Sequence, residues 1–358
     1  MDLEFTAEQE ALRAGARELL EGECPSSAVR DLVDNGRVPE KLWPAQVEGG
    51  WSALALPEAV GGLGLGAVEV AVVAEEAGRA IAPGPWLATV TQYAAVVAAT
   101  ATGGQLTDLL TPIVEGTGTG ALALAEDLTG NPPMPPQTTA TDGRLSGTKH
   151  AVVDGATADR IVVVAGNGLF IVDRADVRVE PVATVDRTRP WARIHLDNTP
   201  AEAIDTGPEQ IEQGLQLAVV ALAAETVGAC VAIVDRTIEY AKQREQFGVP
   251  IGSFQAIKHK LADDYLAVER ARASVYFAAL TIAEDDERRR LATAMAKVAA
   301  GDCERRVVGD AVQTHGGIGY TWEHDLQMWV KRAMANGALL GTAGWHRARL
   351  ADLLGLPR

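Results

Sequence analysis

Apolar and polar positions change their rhythm twice along the chain. From Thr6 to about residue 107 the apolar residues recur at helical spacing. Thr6-Ala7-Glu8-Gln9 has the form of a helix cap with an acidic first turn, and Leu12, Ala16 and Leu19 then share one face. Turn chemistry breaks the pattern at Gly50-Trp51 and across Pro57-Glu58 to Gly61-Gly62-Leu63-Gly64. A second helix, through Val68, Val72, Glu75 and Glu76, is expected to stop near Gly78 and Pro83.

Between about Ile113 and Ile204 the apolar runs become short and β-rich: residues 121–125, 160–165, 169–172 and 192–196. Gly, Asp, Asn and Pro clusters separate them, which predicts an antiparallel β unit. Asn131-Pro132-Pro133-Met134-Pro135-Pro136 can be neither helix nor central strand and reads as a loop. Beyond Pro208 the helical period returns. Ile257, Leu261, Tyr265, Val268, Val275 and Ala279 keep one apolar face, and residues 292–308 form another alanine-rich helical run. The order predicts an α+β chain: a helical region over 1–112, a β region over 113–207, and a helical bundle over 208–358. Helices as rich in Ala and Val as residues 215–234 need a second surface to cover them, so oligomerisation is expected.

Composition narrows the function classes. The 358 residues suffice for several packed units, and 47% of them are apolar. No run of about eighteen uncharged apolar residues predicts a membrane span. The start, Met1-Asp2-Leu3-Glu4-Phe5-Thr6, lacks the basic and apolar character of a secretory signal. Cys24, Cys230 and Cys303 are an odd number of well-separated thiols, as expected of a reduced cytoplasmic protein rather than a disulfide or zinc framework. A formal charge of −16 disfavours nucleic acid and anionic lipid as partners. The basic run Arg288-Arg289-Arg290 follows Glu284-Asp285-Asp286-Glu287 and reads as a solvated helix junction.

Candidate chemistry concentrates in two segments: Arg244-Glu245-Gln246-Phe247-Gly248 through Phe254-Gln255, and Gln313-Thr314-His315-Gly316-Gly317 through Tyr320. A guanidinium binds phosphate with paired hydrogen bonds, and glycines let backbone amides approach it. Both segments resemble signatures of the flavin-dependent acyl-CoA dehydrogenase family. So do Trp51 with Pro57-Glu58 and Gly61-Gly62-Leu63-Gly64, and the ending Leu353 to Arg358. The three-part order also resembles that family's helical domain, small β domain and four-helix bundle. The resemblance implies FAD as cofactor. Arg244, Phe247, Gln255, Gln313, Gly316 and Gly317 would lie against the pyrophosphate and adenosine side of an FAD belonging mainly to a neighbouring subunit.

The resemblance fails where the chemistry would occur. Desaturating an acyl thioester needs a base for the α-proton while a hydride leaves the β-carbon. The family's Tyr-Glu-Gly-Thr turn, which carries that glutamate in many members, corresponds to Leu339-Leu340-Gly341-Thr342, so Leu340 stands at the base position. Other members carry the base on the first bundle helix, where Asp235 and Tyr240 align Ala218 with it. Glu225 lies on the same helix face, roughly 10 Å further along the axis. It reads as a paired or solvated helix glutamate, with a base at an unusual position as the alternative.

The loop and strand that cover the flavin ring in the family are also changed. They correspond to Ala125-Glu126 through Pro133 and to Lys149-His150 through Val153; Gly147-Thr148-Lys149 is kept, and His150 reads as a packing or surface histidine. This split resembles the shorter, base-lacking subunit of actinobacterial heteromeric acyl-CoA dehydrogenases, as do Thr321 to Asp325 and Trp345-His346-Arg347. That resemblance implies a homologous partner subunit in a heterotetramer, and a CoA thioester substrate of steroid-derived or other bulky acid. Two alternatives stand beside it: a self-sufficient homo-oligomeric dehydrogenase using Glu225 or another carboxylate, and a non-catalytic scaffold subunit.

Overall fold

The structure is a computed structural model and describes residues 4–133 and 135–357. Met1 to Leu3 of the N-terminal segment, Met134 of the proline-rich loop and the final Arg358 lie outside the described residues. The N-terminal helices are α1 (Ala7–Glu23), α2 (Ser26–Asn35), α3 (Leu42–Glu48) and α4 (Ala67–Ala80). A π-helical stretch, Leu87–Ala94, then runs into α5 (Ala95–Thr100), and α6 (Gly103–Val114) continues past the expected border at 112/113. Thr6 caps α1 as its sequence predicts: its hydroxyl accepts from the Gln9 amide at 3.2 Å, while the Gln9 side chain accepts from the Thr6 amide at 3.0 Å.

Eight strands follow: β1 (Gly120–Ala123), β2 (Thr139–Thr141), β3 (Arg144–Val153), β4 (Arg160–Ala165), β5 (Gly168–Asp173), β6 (Arg178–Val182), β7 (Trp191–Pro200) and β8 (Glu202–Ile204). They form two four-stranded sheets, ordered β1-β4-β5-β8 and β2-β3-β7-β6. The expected antiparallel unit needs one correction, because β1 and β4 pair in parallel. The chain between them leaves to build β2 and β3 of the other sheet, so β4 returns in the direction of β1. Ala121, Ile161, Val163, Leu145 and Ile194 fill the space between the sheets. A register shift lies between Lys149 and Val152, where Ala151 has a φ of 54°. Such a bulge re-aims side chains, and Lys149 is fully buried against Glu126.

The C-terminal region holds α7 (Pro208–Gln243), the short hairpin β9 (Glu245–Gln246) and β10 (Val249–Pro250), then α8 (Gln255–Ala283), α9 (Arg289–His315), α10 (Leu326–Ala338) and α11 (Ala343–Leu353). Helix α7 is apolar almost all round because α4, α5, α8, α9 and α10 pack against it. It is long and apolar enough to cross a membrane, but 94% of its most apolar window is buried inside the protein.

Helix α4 ends at Ala80, between Gly78 and Pro83 as expected, and Gly78 itself lies inside its last turn. A Cβ there would lie 2.0 Å from the Glu225 carbonyl oxygen, and one on Gly228 would lie 1.9 Å from that of Glu75. The two glycines let α4 and α7 cross at backbone contact. Tyr265, assigned to the apolar face of α8, is 56% exposed. Only the second half of α8, through Val268, Val275 and Ala279, enters the core.

Candidate functional site

Tyr240, one turn before the end of α7, stacks on His315, the last residue of α9, with ring centroids 4.2 Å apart. Its hydroxyl donates to the His315 carbonyl at 3.4 Å, and His324 meets both rings edge-on. This aromatic clamp sets Arg244 and Gly316 at one end of the bundle. The sequence offered Tyr240 as an alignment anchor and gave no signal for its stacking role.

Arg244 ends α7, and its carbonyl accepts from the Ile251 amide at 2.7 Å. Between them the β9–β10 hairpin turns at Phe247 and Gly248, whose φ values are 56° and 78°. Two positive φ values are the signature of the tight hairpin turn whose twist suits the flanking strands. Asn or Gly normally takes the first of those places. Phe247 takes it here with 94% of its surface exposed and Phe254 beside it, edge-on at 6.2 Å.

Gln255 opens α8, exposed. Among the described residues, none of the side chains of Arg244, Gln255 and Gln313 has a hydrogen-bond or ion-pair partner. Gly316 has a φ of 65°, and nothing lies within 4 Å of a Cβ built at Gly316 or Gly317. These glycines, Gln313 and Tyr320 line a surface hollow of about 360 Å³. The structure thus gathers all six expected cofactor-contact residues at the same end of the bundle, exposed and open. Free amide, guanidinium and unobstructed backbone groups suit the dinucleotide end of FAD.

The loop that corresponds to part of the family's flavin-ring cover is closed on the Gly341-Thr342 turn. The Gly341 amide donates to the Gly130 carbonyl at 3.2 Å, and the Thr342 amide donates to Asn131 Oδ1 at 2.9 Å. A Cβ on Gly130 would lie 1.8 Å from the Ala338 carbonyl oxygen. Glu126 seals the base of the same loop, accepting from the Thr138 amide, the Thr138 hydroxyl and Lys149 Nζ at 2.8, 2.6 and 2.7 Å. Burial opposes its charge, yet the Lys149 and Thr138 hydrogen bonds prevail and bring its pKa down to about 2. Gly130 and Asn131 of this loop are therefore already engaged within the chain. His150 is half-buried and accepts from Arg193 Nε at 3.3 Å, a partner that sequence adjacency did not reveal.

The base position holds no acid. Leu340 is buried, and Ala218 is fully buried in the apolar cluster that contains it. Glu225 is buried among donors. Its Oε1 accepts from Arg189 Nη2 at 2.5 Å and Arg332 Nη1 at 2.8 Å, and its Oε2 from Asn336 Nδ2 at 3.3 Å. Glu225 is thus a buried, paired helix glutamate, the first of its two sequence readings. The cluster extends through Arg332 to Asp186 at 2.9 Å and through Asn336 to Lys297 at 2.7 Å. Burial pulls the Lys297 ammonium down to about 7. Sequence reasoning missed Arg189, Arg332, Asp186 and Lys297, because they come from three separate segments.

The match to known proteins settles the family. The description "acyl-CoA dehydrogenase, N-terminal domain" fits residues 6–117, and "acyl-CoA dehydrogenase, C-terminal domain" fits residues 205–355. The chain belongs to the acyl-CoA dehydrogenase family. It is therefore an FAD-type oxidoreductase chain of acyl-CoA chemistry. It is similar to acyl-CoA dehydrogenase IpdE2 of Mycobacterium tuberculosis, 35% identical over 335 residues that cover 93% of each chain. Among solved structures it is similar to a chain of the ChsE4–ChsE5 complex from Mycobacterium tuberculosis, with a TM-score of 0.91, 27% identity and complete coverage of both chains. A variant of the Tcur3481–Tcur3483 steroid ACAD matches with a TM-score of 0.88 and 31% identity, covering 97% of this chain and 98% of that one.

Proposed function

We propose that this chain is the base-lacking subunit of a heteromeric acyl-CoA dehydrogenase, holding the dinucleotide end of an FAD whose ring lies in a homologous partner. Bound FAD supplies the hydride acceptor for α,β-desaturation. The work of this chain is to bind and orient. Arg244 would pair with the pyrophosphate, Gln255 and Gln313 would donate to the dinucleotide, and the Gly316-Gly317 backbone would approach it. Phe247 would pack beside it in the partner's surface. The partner would supply the carboxylate that takes the α-proton.

One observation carries the reading: the donors and glycines are open at the bundle end, while the loop of Gly130 and Asn131 is tied to the Gly341-Thr342 turn beside Leu340. The kinship with IpdE2 and with two proteins solved as pairs, one of them called a steroid ACAD, favours a steroid-derived or similarly bulky acyl-CoA substrate. A heterotetramer in the cytoplasm fits the same relatives and the reduced thiols.

Co-expression with a homologous subunit tests it. The pair is expected to carry FAD and desaturate acyl-CoA, and the Arg244→Ala pair to lose FAD affinity about ten- to hundredfold, the range for a charge-assisted contact. Full FAD retention in that variant would contradict the assignment.

A further inference from the structure

A cavity of about 630 Å³ lies where the helical region meets the β region. Its walls come from α2, the turn before the π-helical stretch, the approach to β1, the turn after β3 and the connection from β6 to β7. None of the flavin-contact residues lines it, nor does Leu340. Leu32, Val38, Pro83, Pro85, Ala158 and Val182 make its body apolar. Asp154 lines it too. That residue is 4% exposed, and its Oδ2 has no hydrogen-bond partner among the described residues.

The backbone fixes Asp154 in place: its amide donates to the Pro190 carbonyl at 3.0 Å, and its carbonyl accepts from the Thr157 and Ala158 amides at 2.9 Å. Its φ of 55° is left-handed, a conformation that an uncharged Asn adopts as readily, so the turn does not call for a carboxylate. The other charges lining the cavity are engaged. Asp186 pairs with Arg332 at 2.9 Å and Arg189 with Glu225 at 2.5 Å, while Arg187 lies over the Trp322 ring, 4.9 Å from its centroid. Burial raises the Asp154 pKa to about 7; Arg189 and Arg332 pull it down, and Glu225 adds to the rise. Buried polar atoms are almost always satisfied, so this carboxylate calls for an occupant that brings a donor. A single carboxylate supplies too few oxygens for a calcium or magnesium ion. The apolar walls suit an organic body instead, and the volume falls within the range of small-molecule sites.

We propose that this cavity binds a small organic cation, an apolar body carrying an ammonium group that donates to the Asp154 carboxylate. The formal charge of −16 draws such a cation toward the chain. Its binding is independent of the flavin contacts, because the two sets of residues do not overlap.

The test is a calorimetric titration of the purified full-length chain with 2-phenylethylamine, charged at neutral pH, and with 2-phenylethanol, its uncharged counterpart. Saturable binding of one amine per chain is expected, at least about tenfold tighter than the alcohol, the low end for a hydrogen bond to a charged group. Asp154→Asn keeps the turn and is expected to remove that preference with the melting temperature kept. The wild-type chain gives a second reading that needs no variant. Amine affinity is expected to rise severalfold between about pH 6 and about pH 8, as Asp154 loses its proton, while alcohol affinity stays level. Absence of saturable binding, equal affinity for the alcohol, an unchanged preference in folded Asp154→Asn or a level pH profile for the amine would overturn the proposal. So would release of flavin from the assembled complex by the amine, which would assign the cavity to the flavin.

Discussion

Two polar regions of this molecule treat their charged groups in opposite ways. Around Glu225 each charge is buried and met by another: Arg189, Arg332, Asp186 and Asn336 close on one another across α7, α10 and the segment before β7. At the bundle end Arg244, Gln255 and Gln313 are exposed, without protein partners among the described residues, beside two open glycines. The first arrangement holds the fold together. The second leaves its hydrogen-bonding capacity for another molecule. A carboxylate near the family's base position is thus held by buried partners, and an exposed surface turn is the functional candidate.

The largest expected effect lies in the buried region. Glu225→Gln leaves Arg189 without its counter-charge and Arg332 with Asp186 alone, and breaking a buried pair of this kind costs about 3–5 kcal/mol. Chemical denaturation should show that loss, while the turnover of each folded, flavin-loaded complex stays within about twofold of wild type, a rate change worth under about 0.5 kcal/mol. Loss of turnover with stability intact would make Glu225 catalytic and reverse the comparison. Arg244→Ala should do the opposite: FAD binding weakens by about 1.5–3 kcal/mol, and the unfolding free energy of the chain moves by no more than about 0.5 kcal/mol, as for an exposed residue.

A pH titration separates the closed loop from both. The Glu126 pKa falls from 4.5 to about 2 on folding. Its contribution is therefore complete above the unfolded value and disappears as the pH falls through about 2. Glu126→Gln should flatten that acid limb of the stability curve, and an unchanged limb would show that the loop is not held by the Lys149 pair. The smallest effect concerns Phe247. Replacing it with Gly removes a left-handed backbone cost and should raise the stability of the isolated chain by about 1 kcal/mol, while weakening its association with the partner subunit in sedimentation measurements. Unchanged association would place Phe247 outside the interface.

Much of this was legible in the chain. Helical and strand rhythms marked the three regions, and the Thr6 cap was readable from four consecutive residues. The exposed end was also legible, since Arg244 to Gln255 and Gln313 to Tyr320 are local motifs. What escaped was set by long-range packing. The packing role of Gly78 was hidden because the α7 backbone it touches lies nearly 150 residues away. Glu225 invited a catalytic alternative because its arginines come from the segment before β7 and from α10. Tyr265 kept the helical period, yet its side chain is exposed on the first half of α8. Asp154 shares a cavity with Leu32 and Pro83 that no spacing in the sequence could indicate.

The most direct test is to measure FAD content by visible absorbance and native mass by light scattering, for the chain alone and co-purified with a homologous subunit. The account predicts little flavin in the chain alone, and FAD with acyl-CoA dehydrogenase activity in the mixed assembly. A homo-oligomer of this chain that holds stoichiometric FAD and turns over acyl-CoA by itself would contradict it.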